Sequence, residues 1–265
     1  MASPPPPGTQ AEMPFLEHLE ELRWRILWSV LALIIGVGLS FVVLIKYDAI
    51  RLLTQPIRPF LVDGKLITTH PAGAFRIVMS AAFAVGAVLA SPVVFYQFWA
   101  FLSPALYRHE KKVVIPVLIF GAVLFLGGVS LAYFALIPLT LGFLLNVQSS
   151  VITPMISVTE YFDFAITFSL IMGAVFELPI AVLALTALGL VTPAFLNKYR
   201  RHALIICLVA SAFITPGQDP VSLAAVALPL IGLYEVSVVC SHFVYRRRLK
   251  REARLAAEEA SGAAA

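Results

Sequence analysis

Charged side chains are scarce in this 265-residue chain. Asp, Glu, Lys and Arg together make up 13% of the residues, about half of their usual share in a soluble protein. Three stretches, 26–45, 77–107 and 113–159, contain none of them. The mean hydropathy is +0.92, and one bilayer crossing needs about 20 apolar residues. These features exclude an ordinary soluble domain and predict several membrane spans with little else.

Cysteine and catalytic motifs are also sparse. The two cysteines, Cys207 and Cys240, lie in apolar stretches without a CxxC or Cys/His pairing, so we interpret them as small hydrophobic residues. The interfacial histidines His18 and His109 belong to no set with metal-ligand spacing. No nucleotide-binding loop, GxSxG or HExxH occurs. We therefore predict that the chain is not an enzyme and uses no metal or cofactor.

Apolar runs and breakers predict an all-α, polytopic membrane protein with six transmembrane helices, of which the fifth and sixth are short. The residues between His202 and Asp219 extend about 24 Å as a helix, less than the hydrocarbon core of about 30 Å. The predicted layout is a disordered Pro-rich N-terminus at 1–13, a six-span core at 14–245 and a basic, then Ala/Glu-rich cytoplasmic tail at 246–265. Within the core we predict an interfacial helix at 14–24 and spans at about 26–45, 74–101, 113–136, 161–188, 203–214 and 221–243.

The distribution of basic residues predicts the topology. With six spans and the N-terminus inside, 14 of the 19 Lys and Arg residues fall on the inner face, as the positive-inside tendency requires. A five-span chain would place the cationic segment 246–254 outside. We therefore predict both termini in the cytoplasm. Because the cations flank apolar runs, the net charge of +4 indicates topology and contact with membrane lipids, not a nucleic-acid partner.

Two carboxylates stand out on this basic inner face. Glu21 lies just before the first span, and Glu110 lies between the second and third. A carboxylate pairs with a planar guanidinium better than with an ammonium, so the two acids are candidates for binding a pair of arginines. The alternative is internal pairing, of Glu21 with Arg25 one helical turn later and of Glu110 with Arg108 or Lys111.

Two sequence elements, HLEELR at 18–23 and YQFWAFLSPALYRHEKK at 96–112, resemble those of TatC, the multi-span subunit of the twin-arginine protein translocase. FELP at 176–179 and TP at 215–216 fall where that family has similar elements, and the likeness covers about residues 14–245. In this family the acids of the first two elements receive the Arg-Arg pair of a signal peptide, and the matching positions are Glu21 and Glu110. The family often has an apolar residue where this chain has Glu20. This chain therefore carries two adjacent acids in the first element, and Glu20 is an alternative acceptor to Glu21.

The resemblance implies a translocase core subunit in the bacterial cytoplasmic membrane. Such a subunit binds Arg-Arg signal peptides of folded cargo proteins, nucleates the export complex and depends on the transmembrane proton gradient. Its helices form a concave bundle, it is oligomeric in the assembled complex, and its partners are single-span TatA/TatB-type subunits. Phe101 is expected to contact the apolar part of the signal. The expected signal-peptide site comprises Glu20, Glu21, Arg23, Phe101 and Glu110.

Glu177 is an ionisable residue inside the fourth predicted span, where such a group costs roughly 3 kcal/mol on insertion scales. One interpretation is a neutral carboxyl group bonded to a nearby hydroxyl or to a carbonyl freed by Pro179. A second, implied by the resemblance, is a docking group for partner subunits on the concave face. A third is the proton relay of a proton-coupled secondary transporter.

Two further candidates lie on the predicted outer face. Asp219 either caps the helix that begins at Pro220 or serves transport, as an acid near this position does in the resembled family. Pro56 matches a family proline and is expected to shape the first outer segment.

Overall fold

The computed structural model describes residues 15–47, 49–61, 71–102, 111–146, 156–215 and 219–263, nearly all of them helical. The helices are α1 Phe15–Lys46, α2 Ile50–Leu53, α3 Gly73–Leu102, α4 Lys111–Leu131, α5 Ile137–Asn146, α6 Val158–Phe176, α7 Leu178–Ala187, α8 Pro193–Lys198, α9 Arg200–Ile214 and α10 Pro220–Ala263. A 3-10 turn, Gln55–Phe60, follows α2, and a π-helical turn, Ala132–Leu136, joins α4 to α5.

Five helical segments of the described chain are long and apolar enough to cross a membrane. They are Leu19–Lys46, Gly73–Phe101, Val117–Asn146, Val158–Ala187 and Pro220–Lys250. The remaining apolar helix, α9, has 15 residues and extends only about 22 Å, so it is the short fifth span that the sequence predicts. The all-α membrane architecture is confirmed.

Three helices differ from the predicted layout. α1 joins the interfacial segment and the first span in one helix, because no Pro or Gly occurs between Phe15 and Ile35 to break it. The third span continues through the π-helical turn into the ten residues of α5. The sixth helix is longer than predicted, with 44 residues, because the Arg, Lys, Ala, Glu and Leu residues that follow Tyr245 are strong helix formers.

α1 and α3 form the most extensive helix pair, and their backbones meet where both helices carry glycine. A Cβ atom added to Gly36 would lie 2.7 Å from the carbonyl oxygen of Gly86, and one added to Gly86 would lie 2.6 Å from the backbone nitrogen of Val37. Arg76, at the start of α3, forms an ion pair with Asp163 of α6 at 2.7 Å, and Tyr161 of α6 bonds to Leu53, just after the end of α1, so the two helices run antiparallel. The absence of side chains at the crossing therefore sets how closely they approach.

The main core is built around α6. Phe162, Phe168 and Met172 are completely buried and contact Ile57 of the outer segment and Val226 of α10 within one cluster. A separate, smaller cluster consists of Trp99, Ile180 and Ala184 with the partly buried Val117, Leu118 and Leu124 of α4. The molecule therefore has two packed regions at different levels along α6 and α7.

Two tyrosines hold the outer segment of α2 and the 3-10 turn against the helices. The hydroxyl of Tyr161 donates a hydrogen bond to the carbonyl oxygen of Leu53 at 2.9 Å, and the hydroxyl of Tyr133 donates one to Leu52. These bonds satisfy carbonyls at the end of α2 that have no partner within the helix. Pro56 is buried near the start of the 3-10 turn, the position at which a missing N–H group is tolerated.

Candidate functional site

Glu21, on the second turn of α1, is half-buried and forms an ion pair with Arg25 of the same helix. Arg25 donates to Glu21 Oε1 through Nε at 3.0 Å and also through a terminal guanidinium nitrogen. The internal pairing left open by the sequence is therefore formed. Glu20 and Arg23 lie beside Glu21 on exposed positions of the same helix.

The pairing of α1 with α3 determines what lies at the level of Glu21. Glu21 precedes Gly36 by 15 residues, and Phe101 follows Gly86 by 15 residues. In antiparallel helices that touch at Gly36 and Gly86, both positions lie about 22 Å from the crossing, on the same side. Both residues are half-buried. The structure thus brings a carboxylate and an aromatic ring to one level at the predicted inner end of the bundle.

Trp99 supports this end of α3. It is buried with Ile180 and Ala184 of α7, two residues before Phe101. The last turn of α3 is therefore anchored against α4 and α7. Glu110, the second predicted acceptor, lies outside the described residues, and its relation to Glu21 stays a prediction.

Glu177 occupies the break between α6 and α7. Its N–H group donates to the Ala174 carbonyl at 3.1 Å, and Pro179 lies in the first turn of α7, where its missing N–H group is tolerated. The Oε1 atom is buried and has no hydrogen-bond partner within the described parts of the chain. The internal hydroxyl partner considered for a neutral Glu177 is therefore not observed there.

Gly121 of α4 leaves the space that the Glu177 side chain occupies. A Cβ atom at Gly121 would lie 3.3 Å from Glu177 Oε2 and 3.1 Å from Ile180 Cδ1. Both distances are tighter than ordinary van der Waals contacts. A side chain at this position would therefore press on the carboxylate, and glycine provides the room that the carboxylate occupies.

Asp219 caps α10, as the first of its two interpretations predicts. Its Oδ1 atom accepts a hydrogen bond from the Ser222 N–H group at 2.8 Å. Burial pushes the pKa of Asp219 upward, but hydrogen bonds from Ser222 and from neighbouring backbone groups outweigh it, so the pKa lies below its ordinary value. The carboxylate is thus ionised and committed at least in part to the helix terminus.

A second ionisable group inside an apolar run, Glu235, was missed by sequence reasoning. Arg200 binds both of its carboxylate oxygens. The Arg200 Nε atom donates a hydrogen bond to Oε1 at 2.7 Å, and a terminal guanidinium nitrogen lies 2.6 Å from Oε2. This bidentate pair joins the start of α9 to the middle of the predicted sixth span. The available signal was a single acid between Pro220 and Tyr245, the same signal that drew attention to Glu177.

These features define a class of protein. The chain is a polytopic helical membrane protein with carboxylates both at the predicted inner end of the bundle and in mid-span. Among the residues that the structure describes, no group of three or more His, Cys, Asp or Glu side chains has the arrangement of a metal site.

Comparisons with known proteins give the family. The family model described as Sec-independent protein translocase protein (TatC) matches residues 17–229. The chain is 38% identical to Sec-independent protein translocase protein TatC of Aquifex aeolicus (strain VF5), over 89% of this chain and 98% of the relative. It is 36% identical to Sec-independent protein translocase protein TatCy of Bacillus subtilis (strain 168), over 91% and 94%. The chain therefore belongs to the TatC family.

Solved structures agree with this assignment. A crystal structure of the twin arginine translocase receptor TatC matches with a TM-score of 0.73 and 38% identity, over 86% of this chain and 99% of that one. A crystal structure of the same receptor in DDM matches with a TM-score of 0.75, over 84% and 99%.

Family membership confirms the coarse functional prediction. The chain is a subunit of the twin-arginine protein translocase, a multi-pass protein of the bacterial inner membrane that takes part in protein transport and is not an enzyme. The resemblance seen in the HLEELR and YRHE elements is confirmed. The proton-coupled transporter alternative receives no support from these comparisons.

Proposed function

We propose that this subunit binds Arg-Arg signal peptides of folded cargo proteins at the cytoplasmic face and nucleates assembly of the export complex. The observation that supports this most directly is the common level of Glu21 and Phe101 at the end of the α1–α3 pair. A carboxylate and an aromatic ring at one level suit a ligand in which two arginines precede an apolar segment. Arg23 and the exposed Glu20 belong to the same proposed surface.

The chemistry of Glu21 favours a guanidinium ligand. This carboxylate already accepts two nitrogens of the Arg25 guanidinium, so its position on α1 is compatible with such a group. An i,i+4 ion pair on a helix stabilises by only about 0.3–0.5 kcal/mol. A charge-assisted hydrogen bond to an incoming arginine contributes about 1.5–3 kcal/mol net. An arginine of the signal peptide can therefore replace Arg25.

Glu110 is the proposed second acceptor of an arginine. Only the YRHE sequence element supports this role. Two acceptors are needed for a paired-arginine signal, because one carboxylate offers one bidentate face. The proposal thus assigns one arginine to Glu21, with Glu20 as its alternative, and the other to Glu110.

A second part of the proposal concerns Glu177. We infer that its carboxylate is a docking group for the single-span TatA/TatB-type subunits in an oligomeric complex driven by the proton gradient. The supporting observation is the buried Oε1 atom without a hydrogen-bond partner in the described chain, next to the space left by Gly121. An unsatisfied carboxyl oxygen in a membrane is unfavourable, and a donor from a partner helix would satisfy it.

The signal-peptide proposal is tested by cross-linking a signal peptide to the purified chain, comparing Arg-Arg with Lys-Lys. We expect efficient labelling near Glu21 and Phe101 with Arg-Arg and strongly reduced labelling with Lys-Lys, since an ammonium lacks the planar fork. Glu21→Gln and Glu110→Gln should each reduce Arg-Arg labelling about tenfold or more. Equal labelling by the two peptides would remove the arginine-binding claim.

The docking proposal for Glu177 is tested by co-purification of single-span partners and by export. Glu177→Ala is expected to abolish both, whereas Glu177→Gln retains an acceptor oxygen and is expected to keep partial co-purification. Gly121→Ala should reduce co-purification by crowding the carboxylate. Gly127→Ala is the matched control on the same helix, because a Cβ atom there meets nothing within 4 Å. Intact co-purification and export in Glu177→Ala would contradict the proposal.

A further inference from the structure

The basic residues of the predicted cytoplasmic face lie at two different levels along α10. The first level is marked by the start of α9, where Arg200 pairs with Glu235. Nearby, the hydroxyl of Tyr234 donates a hydrogen bond at 2.8 Å to the carbonyl oxygen of Leu196, in α8. The basic residues around the α8–α9 junction are therefore held beside positions 234–235 of α10.

The second level lies further along α10, at its own basic segment. The Arg248 guanidinium lies over Gly189, which follows α7 and has a φ of 79°; a Cβ atom at Gly189 would lie 1.8 Å from that guanidinium. The end of α7 is therefore level with Arg248. Because Tyr234 and Arg248 are separated by 14 residues of continuous helix, the two levels are about 20 Å apart along the axis.

The surface of α10 between the two levels is apolar. The stretch 236–245 contains no Asp, Glu, Lys or Arg, and Val236, Val239 and Phe243 are exposed on it. Exposed apolar side chains on a helix of a membrane-spanning bundle are suited to contact with lipid hydrocarbon. The α8–α9 junction is therefore recessed, with an apolar wall extending past it toward the cytoplasm.

The cations at the recessed level are not all neutralised by the protein. Arg200 is occupied by Glu235. Lys198 and Arg201 are exposed and have no ion-pair partner among the residues that the structure describes. Lys198 Nζ lies 5.6 Å from the ring centroid of the partly exposed Tyr199, an aromatic residue of the kind enriched at the headgroup level of membranes.

The helix that follows these cations exposes a stripe for acyl chains. Ile205, Val209 and Phe213 succeed Arg201 at four-residue spacing and are 60%, 50% and 86% exposed. Side chains four residues apart are about 40° apart around a helix, so this row turns by about 120° from Arg201 to Phe213. The cation at the start of α9 is therefore followed by a slowly turning row of exposed apolar side chains, the complement of a phospholipid.

We propose that Lys198 and Arg201 bind the phosphate headgroup of an anionic phospholipid, whose acyl chains lie on the Ile205–Val209–Phe213 stripe. The site is recessed about 20 Å from the Arg246–Arg248 segment, so it holds a headgroup deeper than the surrounding leaflet. Basic groups near the cytoplasmic end of membrane helices recognise such headgroups in general. The occupant is a lipid and not free phosphate, because the apolar stripe is continuous with the cations.

The test is native mass spectrometry of the purified full chain titrated with phosphatidylglycerol, with phosphatidylcholine as the neutral lipid. The double variant Lys198→Gln/Arg201→Gln is expected to retain phosphatidylglycerol about tenfold more weakly. The control Arg246→Gln/Arg247→Gln removes the same charge from the other level and is expected to weaken retention clearly less than the double variant at the site. Excess inorganic phosphate should not displace the lipid.

Each contrary result overturns the proposal. Equal losses in the two double variants would show diffuse attraction to basic charge, and unchanged retention in both would show that neither level holds the lipid. Displacement by inorganic phosphate would show an anion site that needs no lipid, and equal retention of phosphatidylcholine would show no headgroup selectivity. Arg201→Lys keeps the charge and should retain the lipid, which separates lost binding from misfolding.

Discussion

At the residue scale, the proposed function sets an arginine of the signal peptide in competition with Arg25 for one carboxylate of α1. Arg25 pairs with Glu21 at its Oε1 atom. The same pairing lowers the affinity of Glu21 for any other guanidinium by the stability of the pair. Arg25 therefore tunes the proposed site without contacting the signal itself.

Replacement of Arg25 tests this competition. Arg25→Gln is expected to tighten binding of an Arg-Arg peptide about twofold, because it removes an internal pair of about 0.3–0.5 kcal/mol. Titration calorimetry of the purified chain with the peptide measures the change. In a Glu21→Gln background the same replacement should have no effect, and an equal gain in that background would rule out competition for Glu21.

Asp219 can be tested for its capping role separately from a role in transport. Asp219→Ala is expected to lower stability by about 1 kcal/mol, whereas Asn is as good a cap as Asp and should leave stability nearly unchanged. Thermal unfolding in detergent gives both values. If export fails in Asp219→Asn while stability is retained, the carboxylate has a role beyond the cap.

The lowered pKa of Asp219 adds a pH dependence to this test. Because the folded-state pKa lies below the ordinary value of 3.8, the stabilising contribution is complete above that value and is lost as the pH falls through the lowered pKa. Asp219→Asn should not show this loss. Identical acid profiles for the two proteins would contradict the ionised cap.

At the scale of helices, the close approach of α1 and α3 depends on two glycines. Gly36→Ala or Gly86→Ala would place a Cβ atom within 2.7 Å of backbone atoms on the facing helix, so α1 and α3 must separate. We expect each variant to lose about 1–3 kcal/mol of stability through overpacking, measured by thermal unfolding.

Gly38 provides the control for this prediction. It lies two residues from Gly36 on the same helix, and a Cβ atom there meets nothing within 4 Å. Gly38→Ala should be neutral or slightly stabilising, because alanine has the higher helix propensity. Equal effects at positions 36 and 38 would show that helix propensity, and not the crossing, decides the outcome.

At the scale of the whole molecule, helices of very different length share one membrane. α3 has 30 residues and extends about 45 Å, whereas α9 extends about 22 Å. A bilayer can match such a short helix by becoming thinner beside it. We propose that thinning beside α9 lowers the barrier that a passing folded protein meets, which would give the short fifth span a role in translocation.

Insertion of four leucines into α9 tests this role. The insertion lengthens the helix by about 6 Å and is expected to reduce export by restoring local bilayer thickness. The same insertion in the apolar part of α1, which is already long, is the control. Unchanged export with a demonstrably thicker bilayer beside α9 would count against the hypothesis.

Much of this architecture could be predicted from local sequence patterns. Uninterrupted apolar length predicts the spans, Lys and Arg on the flanks predict the topology, and the few residues between His202 and Asp219 predict the short fifth span. The HLEELR and YRHE elements indicated the family. The prediction of the spans succeeds because a lipid environment compels each apolar run to satisfy its backbone hydrogen bonds within one helix.

Local sequence patterns are enough to identify the segments that cross the membrane and the polar residues that interrupt or flank them. Which of these residues meet follows from the packing of the helices, because pairing across helices depends on which helices become neighbours and in what register. Glu235 is a solitary acid in the sequence and one half of a bidentate pair with Arg200 in the fold. The contact of Gly36 with Gly86, the space beside Glu177 and the common level of Glu21 and Phe101 arise in the same way. Each is set by the packing of two helices.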